Sequence, residues 1–464
     1  MGCALGMGFL LATLPGVSAQ PHEQKFRGLG FPDFGFMVSP TEYSQKYSNE
    51  PVFRLKTDFP KGTPPKTLPE FMTKIDFREH PMEYLTAAQR YAFEGNLPAF
   101  GGGKIEWDPF ENDVREWYHI PWLHPNSPTG YPPNGGTEGF RGLIKEAEVT
   151  PYQLAGTQMG SYQVYAVTLV NEYAGYTMSR MWKDPNNPDL GATDKRYGGG
   201  FPPGTVFAKF LFTDAPGKPE KDSAQPWDTV PYLENNVEWQ VYITESWDAP
   251  NRVVKTVRLL QMDMMMRDPR AEEFTGWVFG TFAYNGAVDN KKSKFLNLVP
   301  LGLMWGNDPD NTDNRVNPYP PKPVSQIINP DLKQQKIFDL KECPPQHLGW
   351  NSRLNGPADL NTSSCMSCHI TAEFPSFTSL VAPSMTPAGG PVKPPLGGTK
   401  GWMKWFQNIQ CATPIDEQAY STDMSWQIAI AFQNFFGLKG QQQQGEWTKD
   451  YQQKPNVIGR GGSE

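Results

Sequence analysis

The stretch SSCMSCHITAEFP, residues 363–375, sets two cysteines three positions apart with a histidine directly after the second. Three chemistries use such a spacing. A structural zinc site takes four ligands, usually as two such pairs; beyond the N-terminal leader only Cys343 and Cys411 are left, and neither belongs to a pair. A thioredoxin-like dithiol needs its cysteines at a helix start inside a βαβ unit, where the helix N-terminus lowers a thiol pKa. The preceding GWNSRLNGPADLNTSS reads as loop, not as a buried strand. Covalent haem attachment asks for what this stretch has. Thiols at i and i+3 on a first helical turn reach both vinyl groups on one porphyrin edge, and the adjoining imidazole faces the iron. On this reading Cys365 and Cys368 are thioether anchors and His369 is the proximal ligand of one covalent haem c, with Ser363 or Ser364 as N-cap.

At these residues the chain resembles the c-type cytochromes, in particular the large exported single-haem proteins of the cytochrome c family. The resemblance rests on NGPADLNTSSCMSCH, together with MSWQIAIAFQNFF as a terminal helix that packs on the haem edge. FPPGTVFAKFLFT and NLVPLGLMWGND are similar to the β-rich part of those longer proteins. It implies haem binding and electron transfer, and no particular substrate. Small soluble cytochromes place a helix before the motif, whereas this chain has loop-like residues there. They also take a distal methionine from a later loop. Met385, in the Pro-rich VAPSMTPAGG, is the preferred candidate; Met403 and Met424 lie on predicted helices, where packing is the ordinary role of methionine.

His119 and His124 in EWYHIPWLHP, and His347 in CPPQHLGW, are further distal candidates, set against the ordinary role of a hydrogen-bonded histidine in an aromatic core. QMDMMMRDPR brings together Met262, Met264, Met265 and Met266, soft ligands suited to copper(I). Strand alternation sends these four to opposite faces, which argues against convergence on one ion.

The elements that must position the haem motif follow from periodicity. PMEYLTAAQRYAFEG predicts a helix, with Tyr84, Leu85, Ala88, Tyr91 and Ala92 on one face, Pro81 in the first turn and Gly95 at the C-cap. In VEWQVYIT the period is two, and residues 204–213, 252–262, 276–284 and 297–305 are further strands. Strands without alternating helices point to an antiparallel, sandwich-like body. Residues 399–410 and 423–436 read as helices. The fold class expected is therefore α+β: a β-rich body followed by a mostly α-helical cytochrome c-like haem domain. The boundaries are an export signal at 1–19, a Pro/Gly/aromatic-rich arm at 20–150, the β-rich part at 151–330, the haem part at 331–440 and a disordered tail at 441–464.

The apolar run Met7–Leu14 followed by Val17-Ser18-Ala19 points to export, to the periplasm or beyond, with cleavage after Ala19, although no basic residue precedes Lys25. In an oxidising compartment Cys343 and Cys411 would pair. No other apolar run is long enough to span a bilayer. Charged residues are 20% of the chain, and no run of Lys or Arg tracks a phosphate backbone, so nucleic acid is excluded as a partner. The formal net charge of −7 favours a basic redox partner. Three functions stay open: single-electron carriage, a haem-dependent oxidoreductase of peroxidase type with an open iron, and a ligand-binding β-domain that carries a haem.

Overall fold

The computed structural model describes residues 27–28, 56–103, 106–109, 112–123, 137–138, 141–219, 225–244, 252–312, 317, 319–334, 346–382 and 399–442. A two-residue parallel pair, β1 (Arg27–Gly28) and β2 (Lys56–Thr57), forms a ladder of its own. The main sheet holds β3 (Trp117–His119), β4 (Ile144–Val149), β5 (Tyr162–Asn171), β6 (Val206–Thr213), β7 (Glu238–Thr244), β8 (Arg252–Arg267), β9 (Trp277–Tyr284), β10 (Leu298–Met304) and β11 (Gln326–Ile328). All of its pairings are antiparallel, in the order β11-β10-β9-β8-β6-β5-β3, with β4 also on β5 and β7 also on β8. All five strands read from periodicity are in it. Where the sequence points to a sandwich, the nine strands form one continuous hydrogen-bonded sheet.

Register assigns the two faces, because directly paired residues point the same way. Phe210, Met262 and Phe282 are paired in one row, and Ala208, Met264 and Gly280 in the next. This face is covered by α2 (Pro81–Phe93), the helix read from the sequence; α1 is Glu70–Lys74. Gly280 is needed there: a Cβ at this position would stand 2.3 Å from Leu85 Cδ2. Gly280→Ala should therefore cost about 1–3 kcal/mol through overpacking, read as a lower urea midpoint with an unchanged slope. An unchanged midpoint would mean that Leu85 yields without cost.

The opposite face carries Phe207, Lys209, Asp263, Met265, Phe279 and Thr281 in paired register, with Thr168 beside Lys209. The C-terminal third lies against it. α3 (Glu172–Met181) follows β5, capped by Asn171, and α5 (Trp426–Gln442) seats Phe432 against Trp182 and Phe374. The sequence expectation is corrected here. No separate α-helical cytochrome c-like domain is present among the described residues. CMSCH forms only the five-residue α4 (Cys365–His369), and within residues 399–410 the helical part is a short 3₁₀ segment, Trp402–Phe406. The physical reason is that other partners take the backbone that would have continued it. Asn307 donates its backbone N–H to Asn408 Oδ1 (2.7 Å) and its Nδ2 to the Gln407 carbonyl (2.9 Å), pinning the chain as it leaves that segment. Met366, Ile370, Phe374, Ile428 and Phe432 belong to the same apolar core as the sheet residues Phe207, Met265 and Phe279. Burial against a ready-made sheet replaces the helix-on-helix packing that a cytochrome domain would supply. Among the described residues no helix is long and apolar enough to cross a membrane.

Candidate functional site

The roof of the site is α4. Ser364 is its N-cap and forms a reciprocal capping box with Ser367: Ser367 N–H donates to Ser364 Oγ (3.1 Å) and Ser364 N–H to Ser367 Oγ (2.8 Å). So short a helix is not stable alone, and it is held from outside. Cys365 N–H donates to the Leu354 carbonyl, and Trp426 Nε1 donates to the Cys368 carbonyl at 2.7 Å. Arg353, fully buried, anchors the incoming loop by donating to the carbonyls of Asn307, Asp308, Asn311 and Trp350. Gly356 lets that loop close over the sheet, since a Cβ there would stand 2.1 Å from Gln261 Nε2.

Between roof and sheet lies a small cleft lined by residues of both. Cys365, Cys368 and His369 all line it, so the three residues singled out by spacing converge on one space. The His369 ring lies 4.8 Å from that of Phe279, tilted by 51°, and its Nδ1 lies 2.7 Å from the Met424 carbonyl. A carbonyl only accepts, so Nδ1 carries the proton and the other ring nitrogen is the basic one. Burial keeps this imidazole neutral, its pKa pushed down to about 4. Burial also pushes the Cys368 thiol up to about 12, and the Cys365 thiol well above its ordinary value, with Asp359 adding to both. Both cysteines are therefore thiols at neutral pH, unlike the activated thiolate of a redox dithiol. Among the described residues no group of three or more His, Cys, Asp or Glu is gathered for a metal ion.

The cleft floor adds residues that spacing does not reveal. Lys209 Nζ meets Glu146 Oε1 at 2.9 Å. Glu146 sits where the β4–β5 register shifts between Lys145 and Glu148, an irregularity of the kind that re-aims a side chain. Gln261 Nε2 donates to both oxygens of Asp263 (2.9 Å each) and to Asp359 Oδ2 (3.1 Å), while Thr281 Oγ1 donates to Asp263 Oδ1 at 2.6 Å. Burial, then the neighbouring Asp359 charge, raises Asp263 to about 7. Burial opposes the charge on Lys209, but Glu146, Asp263 and Asp359 outweigh it and raise its pKa.

A raised carboxyl favours folding below its unfolded pKa, near 3.9, and that advantage is lost as pH rises through 7. Asp263→Asn removes this titration and leaves those of the buried histidines in place. From about pH 5 to about pH 8 the wild-type chain should lose roughly 2 kcal/mol more stability than Asp263→Asn. Urea midpoints of both chains at the two pH values measure it, and parallel changes would rule it out.

The remaining sequence candidates divide. Met403 is buried with Trp402, Trp405 and Phe406, and the side chain of Met424 is in the main core; neither lines the cleft. Met424 acts on His369 through its carbonyl instead. Met265 and Met264 do line the cleft, but Met262, Met264 and Met266 belong to the opposite register row, so the four methionines do not converge. His119 is buried on β3, accepts at Nδ1 from the Lys56 N–H (3.0 Å) and is not a cleft residue. His347 is half-buried and is also outside the cleft lining. Cys411 is a free, half-buried thiol, and its partner in the expected disulfide, Cys343, lies outside the described residues. So do Met385, His124 and the whole leader.

No family model, curated protein or solved structure matches the chain. The site therefore stands on its own geometry.

Whether haem c fits can be judged from the residues present. Two protonated thiols on one capped turn and a neutral imidazole oriented by a carbonyl agree with the group's donor chemistry. Two buried polar atoms that line the same cleft have no hydrogen-bond partner: Thr168 Oγ1 and Asn355 Oδ1. A buried group left so costs about 1–3 kcal/mol unless water or another donor meets it.

Proposed function

We propose that the chain is an exported c-type cytochrome that binds one covalent haem and transfers single electrons. Cys365 and Cys368 would form the thioethers and His369 would be the axial ligand; bound there, the haem iron would supply one-electron chemistry. The observation that carries this reading is the placing of all three residues on one cleft, with His369 Nδ1 fixed by the Met424 carbonyl. The chain's own part is to orient that imidazole, keep it neutral and shield one face with Phe279. A redox partner with a basic face follows from the net charge of −7, with transfer that slows as salt rises.

One observation favours the second reading, a haem-dependent oxidoreductase with an open sixth position. Met403 and Met424 do not line the cleft, whose floor carries Asp263, Lys209 and Thr168 beside Phe207, Met265 and Phe279. Absorption spectra of the protein matured with haem, ferric and ferrous, decide between the two. A low-spin spectrum indifferent to carbon monoxide supports electron carriage, with Met385→Ala then testing the sixth ligand. A high-spin spectrum that shifts with the gas supports the enzyme, and absence of covalent haem removes both.

A further inference from the structure

The floor of the cleft has more acceptors than donors. Asn355 is fully buried, and its Nδ2 donates to the Leu360 carbonyl at 2.8 Å. That bond fixes the amide, because a carbonyl cannot donate. Its Oδ1 is therefore an acceptor, it has no partner, and Asn355 lines the cleft. Thr168, 5% exposed, brings a second unpartnered oxygen to the same space. Asp263 and Asp359 line it too; they share Gln261 Nε2, and each has one further donor, Thr281 Oγ1 (2.6 Å) for Asp263 and the Gly356 N–H (2.9 Å) for Asp359. The charged and titratable groups facing them are Lys209 from β6, Glu146 from β4, and Cys365, Cys368 and His369 from α4. Lys209 is the cation among them, and its ammonium is engaged by Glu146 at 2.9 Å. One ammonium thus faces three acidic side chains, Glu146, Asp263 and Asp359, and above about pH 7, where Asp263 is ionised, their charge exceeds its own.

We infer that this floor is a binding site for a small primary ammonium, the ammonium ion or a short alkylammonium, held by Asn355 Oδ1, Asp359 and Asp263. The occupant must bring N–H or O–H donors to Asn355 and Thr168, which selects against anions and bare apolar groups. It must also carry positive charge, which an alcohol lacks. A multivalent metal ion would want three or more carboxylate, thiolate or imidazole donors together, and no such group is gathered among the described residues. An ammonium meets both demands with charge-assisted hydrogen bonds, the stronger kind. Because Cys365 N–H is bonded to the carbonyl of Leu354, directly before Asn355, the occupant would lie beside the first thioether. The inference rests on the haem reading for that neighbour alone; the binding groups belong to the chain.

The test is calorimetric titration of the full chain, with and without attached haem, using methylammonium chloride at constant ionic strength. Potassium chloride and methanol are titrated in parallel. Saturable one-site binding of methylammonium is expected, with potassium and methanol each weaker by about tenfold or more, since each lacks either the donors or the charge. Asp359→Asn should weaken methylammonium binding by about tenfold or more. Thr168→Val, which removes a hydroxyl without a partner and so leaves the fold intact, should weaken it several-fold. Three results would overturn the inference: no binding by the wild-type chain, equal binding of potassium or methanol, or full binding by Thr168→Val and folded Asp359→Asn together. Methylammonium binding by a chain that never attaches haem would sink the haem reading and leave this one standing; haem attachment without such binding does the reverse.

Discussion

Replacing Cys365 and Cys368 together with alanine should give a chain that folds but carries no haem that survives denaturation. Both side chains line the cleft instead of filling the centre of the core, and their thiols are protonated. As small apolar groups they contribute little to packing, so each truncation should cost about 1 kcal/mol or less. The helix that bears them is held by groups the substitution leaves alone: the Ser364–Ser367 capping box, the Leu354 carbonyl and Trp426 Nε1. Covalent haem, by contrast, should fall to nothing, since both bonding atoms are gone. The single variants should retain attachment through one thioether at reduced yield. His369→Ala should keep both thioethers and lose the normal axial field. Haem staining after denaturing electrophoresis reads the first effect, and the ferric spectrum reads the second. Persistence of covalent haem in the double variant would mean that the attachment lies elsewhere.

That Cys365, Cys368 and His369 share one helical turn was legible because the spacing is local. CMSCH carries its spacing on one helical turn, and the serine cap lies directly before it. Strands with clear alternation, such as Glu238–Thr244, were legible for the same reason. β8 extends to Arg267, well past 262, because MDMMMR has no β-branched residue to announce a strand and depends on pairing with β6 and β9 for its conformation. α3 was missed: EYAGYTMSRM, with its glycine, threonine and tyrosines, has weak helical propensity and is helped by the Asn171 cap. The error over a helical haem domain includes reading residues 399–410 as a helix, where Trp402, Trp405 and Phe406 are buried in a short 3₁₀ segment. That segment packs beside Trp350. The cleft floor could not be read at all. Lys209, Asp263 and Asp359, with Glu146 behind Lys209, come from four separate segments, and only register and loop closure bring them together.

The largest effect on stability should come from Asp423, which lies outside the cleft lining yet governs His369. Its side chain is almost fully buried. Oδ1 accepts from Trp277 Nε1 (2.9 Å) and the Ala412 N–H (2.8 Å), and Oδ2 accepts from the Phe201 N–H (2.6 Å). One carboxylate thus ties the start of β9, the segment after Cys411 and the loop before β6 to a single point. Asp423 and Met424 both have left-handed backbone, φ 49° and 64°, a conformation that side chains other than glycine adopt only when their surroundings impose it. That conformation presents the Met424 carbonyl to His369 Nδ1. Asp423→Ala leaves three buried donors without an acceptor and should cost about 3–5 kcal/mol, less than the sum of three separate losses because the site relaxes. Asp423→Asn keeps a carbonyl oxygen for Trp277 and Ala412 but turns an amide toward the Phe201 N–H, so it should cost about 1–3 kcal/mol. Urea unfolding ranks the three chains. In folded Asp423→Asn with haem attached, loss of a fixed Met424 carbonyl should free the imidazole to rotate and give a mixture of spin states. If Asp423→Asn unfolds earlier but keeps the wild-type spectrum, the carbonyl is held by the turn itself; if neither variant loses stability, the three hydrogen bonds do not carry the weight that their burial assigns them.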